Sequence, residues 1–291
     1  MYEKLEECPS CKHSKFTNHI ICKDHTVSGE SFALMKCAAC ELIITNPRPD
    51  ACNIGKYYAD SNYISHTNKA NSPINAIYKM VRSITLAQKL NLIKKYSPGN
   101  KLLDFGCGAG VFVDYLQQHN YEVSGYEPHI ATAKAASELS SSTIHTDLKL
   151  LKKGSYNTIT AWHVLEHVHE LKTTLNTLRK SLTSDGVLII AVPNHHSHDA
   201  QYYQENWAAY DVPKHLYHFG QHSMKTLAKK CKLKLVNVHP MKFDSYYVSM
   251  LSEKNKTGKS NYFAALRTGL RSNQKAKQTG EYSSLIYVFK P

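Results

Sequence analysis

The chain has no run of apolar residues long enough to cross a bilayer as a helix, no internal repeat and no low-complexity tract. A helical membrane protein, a solenoid and a disordered tail are therefore excluded as the organising principle of its 291 residues. It opens Met1-Tyr-Glu-Lys-Leu-Glu-Glu, without a basic-then-apolar leader, so the expected location is cytoplasmic. In a reducing compartment its 8 cysteines are expected to be ligands or buried thiols rather than disulfides. Acid is nearly missing from one stretch. Between Val212 and Gly280 there are 14 Lys and Arg against two acids, Asp244 and Glu253, so +12 of the formal net charge of +13 lies there. The length suits one core of ordinary size plus a small accessory module.

What is present is concentrated in Lys101-Leu-Leu-Asp-Phe-Gly-Cys-Gly-Ala-Gly110, followed after one helix length by Val123-Ser-Gly-Tyr-Glu-Pro128. The pattern describes a strand, a glycine turn, a helix and a second strand ending in an acid, which is how a nucleotide-cofactor fold begins. Gly106, Gly108 and Gly110 permit a tight turn and a close backbone approach to a ligand. Glu127 is placed to accept hydrogen bonds from both ribose hydroxyls. A dinucleotide fold wants G-x-G-x-x-G around a pyrophosphate. The run D-x-G-x-G-x-G from Asp104 to Gly110 instead resembles motif I of class I S-adenosylmethionine methyltransferases. That resemblance implies S-adenosylmethionine as cofactor, held by Asp104, Gly106, Cys107, Gly108, Gly110, Glu127 and Pro128. Asp147 and Leu148 would stand after strand three, with Asp147 available to the adenine amino group, and Trp162 and His163 at the tip of strand four.

Short apolar runs recur at Leu102–Phe105, Glu122–Tyr126, Thr143–His145, Tyr156–Ala161, Val187–Val192, Leu233–Val238 and Leu285–Phe289. Val111–His119, His129–Leu139 and Leu171–Leu182 read as helices between them. Alternation of this kind implies an α/β fold with parallel pairing, and seven candidate strands match the seven-stranded, Rossmann-like class I methyltransferase sheet. The expected organisation is a small N-terminal zinc ribbon over 1–50, a mostly helical linker over 51–97 and the cofactor domain over 98–291, with an insertion at 240–283 between strands six and seven.

The ribbon rests on Cys8-Pro-Ser-Cys11 and Cys37-Ala-Ala-Cys40, two C-x-x-C knuckles separated by strand-like Glu30 to Lys36. Four thiolates from two knuckles complete a tetrahedral structural zinc site with no open position. The alternative is four unrelated buried thiols. Cys22 and Cys52 have no partner at ligand spacing and are expected to be packed or solvent-facing.

The stretch Met35-Lys-Cys-Ala-Ala-Cys-Glu-Leu-Ile-Ile-Thr-Asn-Pro-Arg-Pro49, then Tyr57, Tyr58 and Tyr63, resembles the ribbon and linker of bacterial methyltransferases of the "methyltransferase domain 23" kind. Those proteins usually carry glycine after the last cysteine, where this chain has Glu41. His163-Val-Leu-Glu-His-Val168, Val192-Pro-Asn194, and Trp207 through Asp211-Val-Pro-Lys-His-Leu-Tyr-His-Phe219 are similar to the same family's later signatures. The resemblance covers nearly the whole chain and implies an enzyme that transfers a methyl group.

His163-Val-Leu-Glu-His167 also has the H-x-x-E-H form of a metallopeptidase helix. A position after strand four, in a chain whose first strands match another enzyme, argues against that. The segment also resembles quinone-type O-methyltransferases, which often have an acid where His163 stands that helps hold a divalent ion, so weak metal binding is an open alternative here but not the expectation. Glu166 and His167 are expected to fix the loop by helix-start hydrogen bonding, and His163 to line the cofactor or substrate wall. The segment Trp207 to His218 falls where this fold builds its acceptor side. There Tyr210, Asp211 and above all His215 are candidate catalytic residues, His215 as base, as acceptor-orienting group, or simply as a packed histidine. His195, His196 and His198 are expected on a solvated loop.

The basic excess would draw an anionic substrate or carrier toward the acceptor side: a nucleotide sugar, a phospholipid-linked intermediate, an acidic carrier protein or RNA. It would equally suit a solvated, lysine-rich face. Two readings remain. One is a methyltransferase acting on a small, anionic or glycan-precursor acceptor. The other is an RNA methyltransferase using ribbon and insertion to grip phosphates, against which stands the lack of an N-P-P-Y type motif after strand four. A binding protein without activity is a weaker third.

Overall fold

The computed structural model describes residues 1–58, 73–259 and 261–291; Tyr63 lies outside them. The first elements are β1 (Tyr2–Glu3), β2 (Phe16–Lys23), β3 (Ser31–Cys37), β4 (Ile43–Thr45), β5 (Arg48–Pro49) and α1 (Pro73–Tyr96). Then come β6 (Lys101–Phe105), α2 (Val111–Gln117), β7 (Glu122–Tyr126), α3 (Ile130–Ser140), β8 (Ile144–His145), β9 (Tyr156–Trp162), α4 (Leu171–Ser181) and β10 (Leu182–Pro193). The chain ends with α5 (His198–Tyr203), β11 (Tyr217–His218), α6 (Gln221–Lys230), β12 (Lys234–Pro240), α7 (Asp244–Thr257), α8 (Tyr262–Thr279) and β13 (Ser284–Lys290).

Seven strands make one mixed sheet in the order β12-β13-β10-β9-β6-β7-β8. Each of the seven apolar runs is one of these strands, and the fold is the Rossmann-like methyltransferase fold. β6 pairs in parallel with β7 on one side and β9 on the other. The order of the chain therefore reverses at β6, and an open α/β sheet takes its ligand beyond the carboxyl end of such a strand. The glycine turn stands at that end. The helices follow their patterns: Leu171, Leu175 and Leu178 of α4 recur at three and four residues, and all are buried. α3 buries the small residues Ala133, Ala136 and Ser140.

The chain divides into two compact units: Met1–Asp60, His163–Thr173 and Ile190–Tyr287 form one, and Ser61–Trp162, Thr174–Ile189 and Val288–Pro291 the other. In the first, an antiparallel sheet runs in the order β11-β4-β3-β2. Its edge strand comes from far along the chain, with Tyr217 opposite Ile44 and His218 opposite Ile43. Cys22, Phe32, Leu34 and Ile43 from the hairpin share a core with Tyr203, Trp207, Tyr210 and Val248. The ribbon therefore does not stand apart at residue 50, because a segment this short cannot bury enough surface alone.

α7 and α8 lie between β12 and β13. α8 turns Ala265, Thr268, Gly269, Ser272 and Ala276 inward. At Gly269 an added Cβ would come within 2.8 Å of Tyr246 Cδ1, so glycine is what permits this close approach. Asp199 of α5 joins the pieces of this unit. It is fully buried and accepts hydrogen bonds from Trp207 Nε1 (2.8 Å), Ser272 Oγ (2.6 Å) and Ser283 Oγ (2.7 Å). Asp199→Ala would leave three buried donors unsatisfied and is expected to lower stability by about 3–5 kcal/mol. A urea midpoint within error of the wild type would show that water replaces the carboxylate.

Candidate functional site

In the second unit the turn after β6 is built by backbone conformation. Gly106, Gly108 and Gly110 all have positive φ, at 76°, 52° and 80°, a region that side chains with a Cβ avoid. An added Cβ at Gly110 would meet the Ala136 backbone at 2.8 Å, whereas at Gly108 it would meet nothing within 4 Å. Gly110 is thus committed to helix packing, and Gly108 leaves open space for a ligand. The amides of Gly106 and Cys107 both donate to the Tyr126 carbonyl, which ties the turn to the end of β7. Glu127, the next residue, receives the Gly108 amide on Oε2 (3.2 Å) and the His129 amide on Oε1 (3.0 Å). Each oxygen keeps a lone pair for a ribose hydroxyl.

Around the turn, Cys107 is buried, and burial, with Asp104 and Glu127 nearby, pushes its thiol up to about 12. Pro128 is exposed and Leu148 half-buried. Asp147 is exposed and caps the next turn through the Lys149 amide at 2.9 Å. The indole of Trp162 is half-buried, with its Nε1 buried and lacking a hydrogen-bond partner. Lys89 of α1 holds its ammonium 4.5 Å from that ring and 5.2 Å from Phe112. Lys89 was not legible as a site residue, since a lysine on a helix carries no motif. An open glycine, an oriented carboxylate and an orphaned indole N–H fit the expected cofactor.

In the first unit, His163 to His167 is not an α-helix. His163 has φ 56°, and only the single 3₁₀ turn Leu165–His167 follows. His163 lies outside that turn, so the two histidines do not share a helical face, but Glu166 and His167 do fix the neighbouring loop: the Glu166 carbonyl accepts the Leu216 amide at 2.8 Å and His167 Nδ1 lies 3.0 Å from the Lys214 carbonyl. His163 is gripped by carboxylates instead, Nδ1 3.4 Å from Glu166 and Nε2 3.1 Å from Asp244. Burial alone would lower its pKa, but hydrogen bonds and charge from Asp244 and Glu166 raise it to about 10. It is a cation at neutral pH and cannot act as a base. Burial would raise Glu166, yet His163, 3.4 Å away, holds it below the usual carboxylate range.

The same unit brings Asp211 and His215 to this cluster, while Tyr210 packs on Trp207 and His218. His215 is buried, its Nδ1 2.8 Å from the Ala209 carbonyl, and its ring lies 4.6 Å from that of His167. Asp211 pairs with Lys214 at 2.9 Å and stands 4.0 Å from His215 Nε2. Tyr210 is buried with its hydroxyl 3.3 Å from His19. The expectation of a solvated histidine loop fails at His195. Its amide bonds the Phe219 carbonyl, its ring is buried against His196 and His19, and burial pulls its pKa to about 3. His196 and His198 are half-buried.

Cys8, Cys11, Cys37 and Cys40 bring their sulfurs within 4.8 Å of one another, with 3.5 Å between Cys8 and Cys40 and 3.6 Å between Cys11 and Cys37. Tetrahedral thiolates about 2.3 Å from zinc are roughly 3.8 Å apart, so the cluster fits the metal. Lys12 and Glu41, each just after a knuckle, have φ 69° and 59°. That left-handed turn explains why glycine is usual where Glu41 stands.

A family model described as a methyltransferase domain matches residues 80–238. Among solved structures, a putative sarcosine dimethylglycine methyltransferase from Galdieria sulphuraria is similar at a TM-score of 0.50 and 16% identity, over 77% of this chain and 92% of that one. An S-adenosylmethionine-dependent methyltransferase from Archaeoglobus fulgidus is similar at a TM-score of 0.50 and 16% identity, over 72% and 94%. At such identities the likeness is one of fold. No curated protein matches the chain.

Asp104 yields a test of the cradle. It is 3% exposed, and burial raises its pKa to about 6, against the Thr160 hydroxyl at 2.6 Å and the charge of Lys89. An acid whose folded pKa lies above the unfolded value of 3.8 favours the fold at low pH, and that contribution is lost as pH climbs through about 6. Asp104→Asn keeps the Thr160 bond and removes the buried charge. It is expected to add about 2 kcal/mol at pH 7 and little at pH 4, while weakening cofactor binding. An equal gain at both pH values would refute the assignment.

Proposed function

The chain belongs to the methyltransferase domain family and is an S-adenosylmethionine-dependent methyltransferase; on that premise we propose that its acceptor is a small anionic molecule, of the nucleotide-sugar or glycan-precursor class. The observation that carries this reading is the orientation of charge between Val212 and Gly280. Glu253 is 4% exposed and takes the Tyr203 hydroxyl at 3.0 Å, and Asp244 is engaged with His163. Lys254, Lys256, Lys259, Arg267, Arg271, Lys275 and Lys277 are all exposed. With both acids turned inward, the outer face of α7 and α8 carries charge of one sign, which raises the local concentration of anions.

Glu127 and the backbone of Gly106, Gly108 and Gly110 would hold the cofactor, with Asp104, Cys107, Pro128, Asp147, Leu148 and Trp162 around it. The bound cofactor supplies an electrophilic methyl group on a sulfonium. The chain's own part is to align the acceptor and keep water away, so positioning does most of the work. His215 is the acceptor-orienting group, its ring fixed through Nδ1 with Nε2 left over. His163 supplies a fixed positive charge to the acceptor wall, and Tyr210 and Asp211 hold the loop on which His215 sits.

Incubating the protein with methyl-labelled cofactor and a fractionated cell extract should label a small species that binds an anion-exchange resin. Replacing Lys254, Lys256, Arg267 and Arg271 together by Gln should cut that labelling about fivefold or more at low salt, and less at high salt, with cofactor affinity unchanged. Label found only in RNA would overturn the acceptor class.

We further assign one structural zinc to Cys8, Cys11, Cys37 and Cys40. Because the hairpin shares its core with Tyr203, Trp207 and Tyr210, removing the metal should raise hydrogen exchange in residues 200–218 as well as in the ribbon. Protein that carries no zinc and yet protects both segments would rule the metal out.

A further inference from the structure

Glu166, His167 and His215 bring a carboxylate oxygen and one ring nitrogen from each histidine within 4.8 Å of one another. The hydrogen bonds around them decide which atoms have lone pairs. Nδ1 of His167 lies 3.0 Å from the Lys214 carbonyl and 2.9 Å from the Tyr58 hydroxyl, and Nδ1 of His215 lies 2.8 Å from the Ala209 carbonyl. A carbonyl oxygen only accepts, so both rings carry their proton on Nδ1 and keep an unprotonated Nε2. Glu166 is 0% exposed, and neither of its oxygens has a hydrogen-bond partner. Its only charged neighbour within 4 Å among the described residues is His163, on Oε1 at 3.4 Å. Three electron-pair donors are thus gathered together, with only the His163 cation, shared with Asp244, to offset one oxygen of the carboxylate, an arrangement that a further cation among the three would complete.

We propose that Glu166, His167 and His215 bind a divalent first-row transition ion through one carboxylate oxygen and the two Nε2 atoms. Two imidazoles and a carboxylate suit zinc, iron(II), cobalt(II) or manganese(II) better than calcium or magnesium. Bonds of about 2.0–2.1 Å would set the ligand atoms roughly 3.4 Å apart, so the cluster contracts by an ångström or so on binding. Nδ1–H bonds to backbone carbonyls are the outer-shell contacts that orient metal-binding histidines. Asp211, 4.0 Å from His215 Nε2, is the next carboxylate outward. The set differs from the H-x-x-E-H metallopeptidase arrangement, because His163 is turned to Glu166 and Asp244 and its place is taken by His215 from a distant loop. Three protein ligands leave open positions, through which the ion would hold an oxygen of an anionic acceptor. This deepens the reading of His215 as the acceptor-orienting group, but its test reads metal rather than turnover, so it can fail while methyl transfer stands.

The experiment is a titration of cobalt(II) into the full-length protein carrying one equivalent of zinc, which the four-cysteine site takes first and which leaves the second site open. Saturation at one equivalent is expected, with weak visible bands of nitrogen and oxygen coordination and no thiolate charge-transfer band. Glu166→Gln, His167→Gln and His215→Gln should each weaken binding tenfold or more, with cofactor affinity measured in parallel to confirm folding. Failure of the wild type to bind cobalt(II) would overturn the proposal whatever the variants do. Binding that persists unchanged in all three folded variants would overturn it too, as would a thiolate band, which would place the ion on the cysteines.

Discussion

The small antiparallel sheet of β2, β3 and β4 cannot cover its own apolar face, and this constraint organises much of the first unit. Phe32, Leu34 and Ile43 need a partner surface, and residues 200–212 provide it through Tyr203, Trp207 and Tyr210. Pairing of β11 with β4 then draws Tyr217 and His218 onto the ribbon sheet. The Thr45 hydroxyl donates to the His215 carbonyl at 2.7 Å, so the histidine loop is held by the ribbon through main-chain contacts. A module that reads as a separate ribbon is in this way the support for the loop that carries His215.

Electrostatics supplies the second layer of order. Asp199 is buried with three donors around it and acts as a structural joint. Asp104 is buried with one hydroxyl, and its ionisation is resisted. Glu166 lies between these cases, paired loosely with His163 and otherwise unmatched. Well-satisfied buried acids hold a fold together, while incompletely satisfied ones are expected where a ligand completes the set. Two of the described non-glycine residues with positive φ, His163 at 56° and Asp211 at 34°, stand beside the histidine cluster.

Chain order and spatial order separate most clearly at β13. The last strand of the chain inserts between β10 and β12, so α7 and α8 connect two neighbouring strands of the sheet. Their inner faces are small or committed, and their outer faces carry the basic residues.

The sequence by itself determined the sheet, the glycine turn, Glu127 and the four cysteines, because each depends on near neighbours. Alternating apolar runs specify strands, left-handed turns require glycine, and C-x-x-C knuckles place two sulfurs on one turn. Only the tertiary structure decided what the histidines do. His195 is buried beside the bridge from Asn194 to Phe219, His163 becomes a cation because Asp244 folds onto it, and His167 meets His215 across a gap in sequence that no periodicity spans. The protonation and partners of such groups are set by burial and by charges brought from elsewhere in the chain, and those are properties of packing rather than of local pattern.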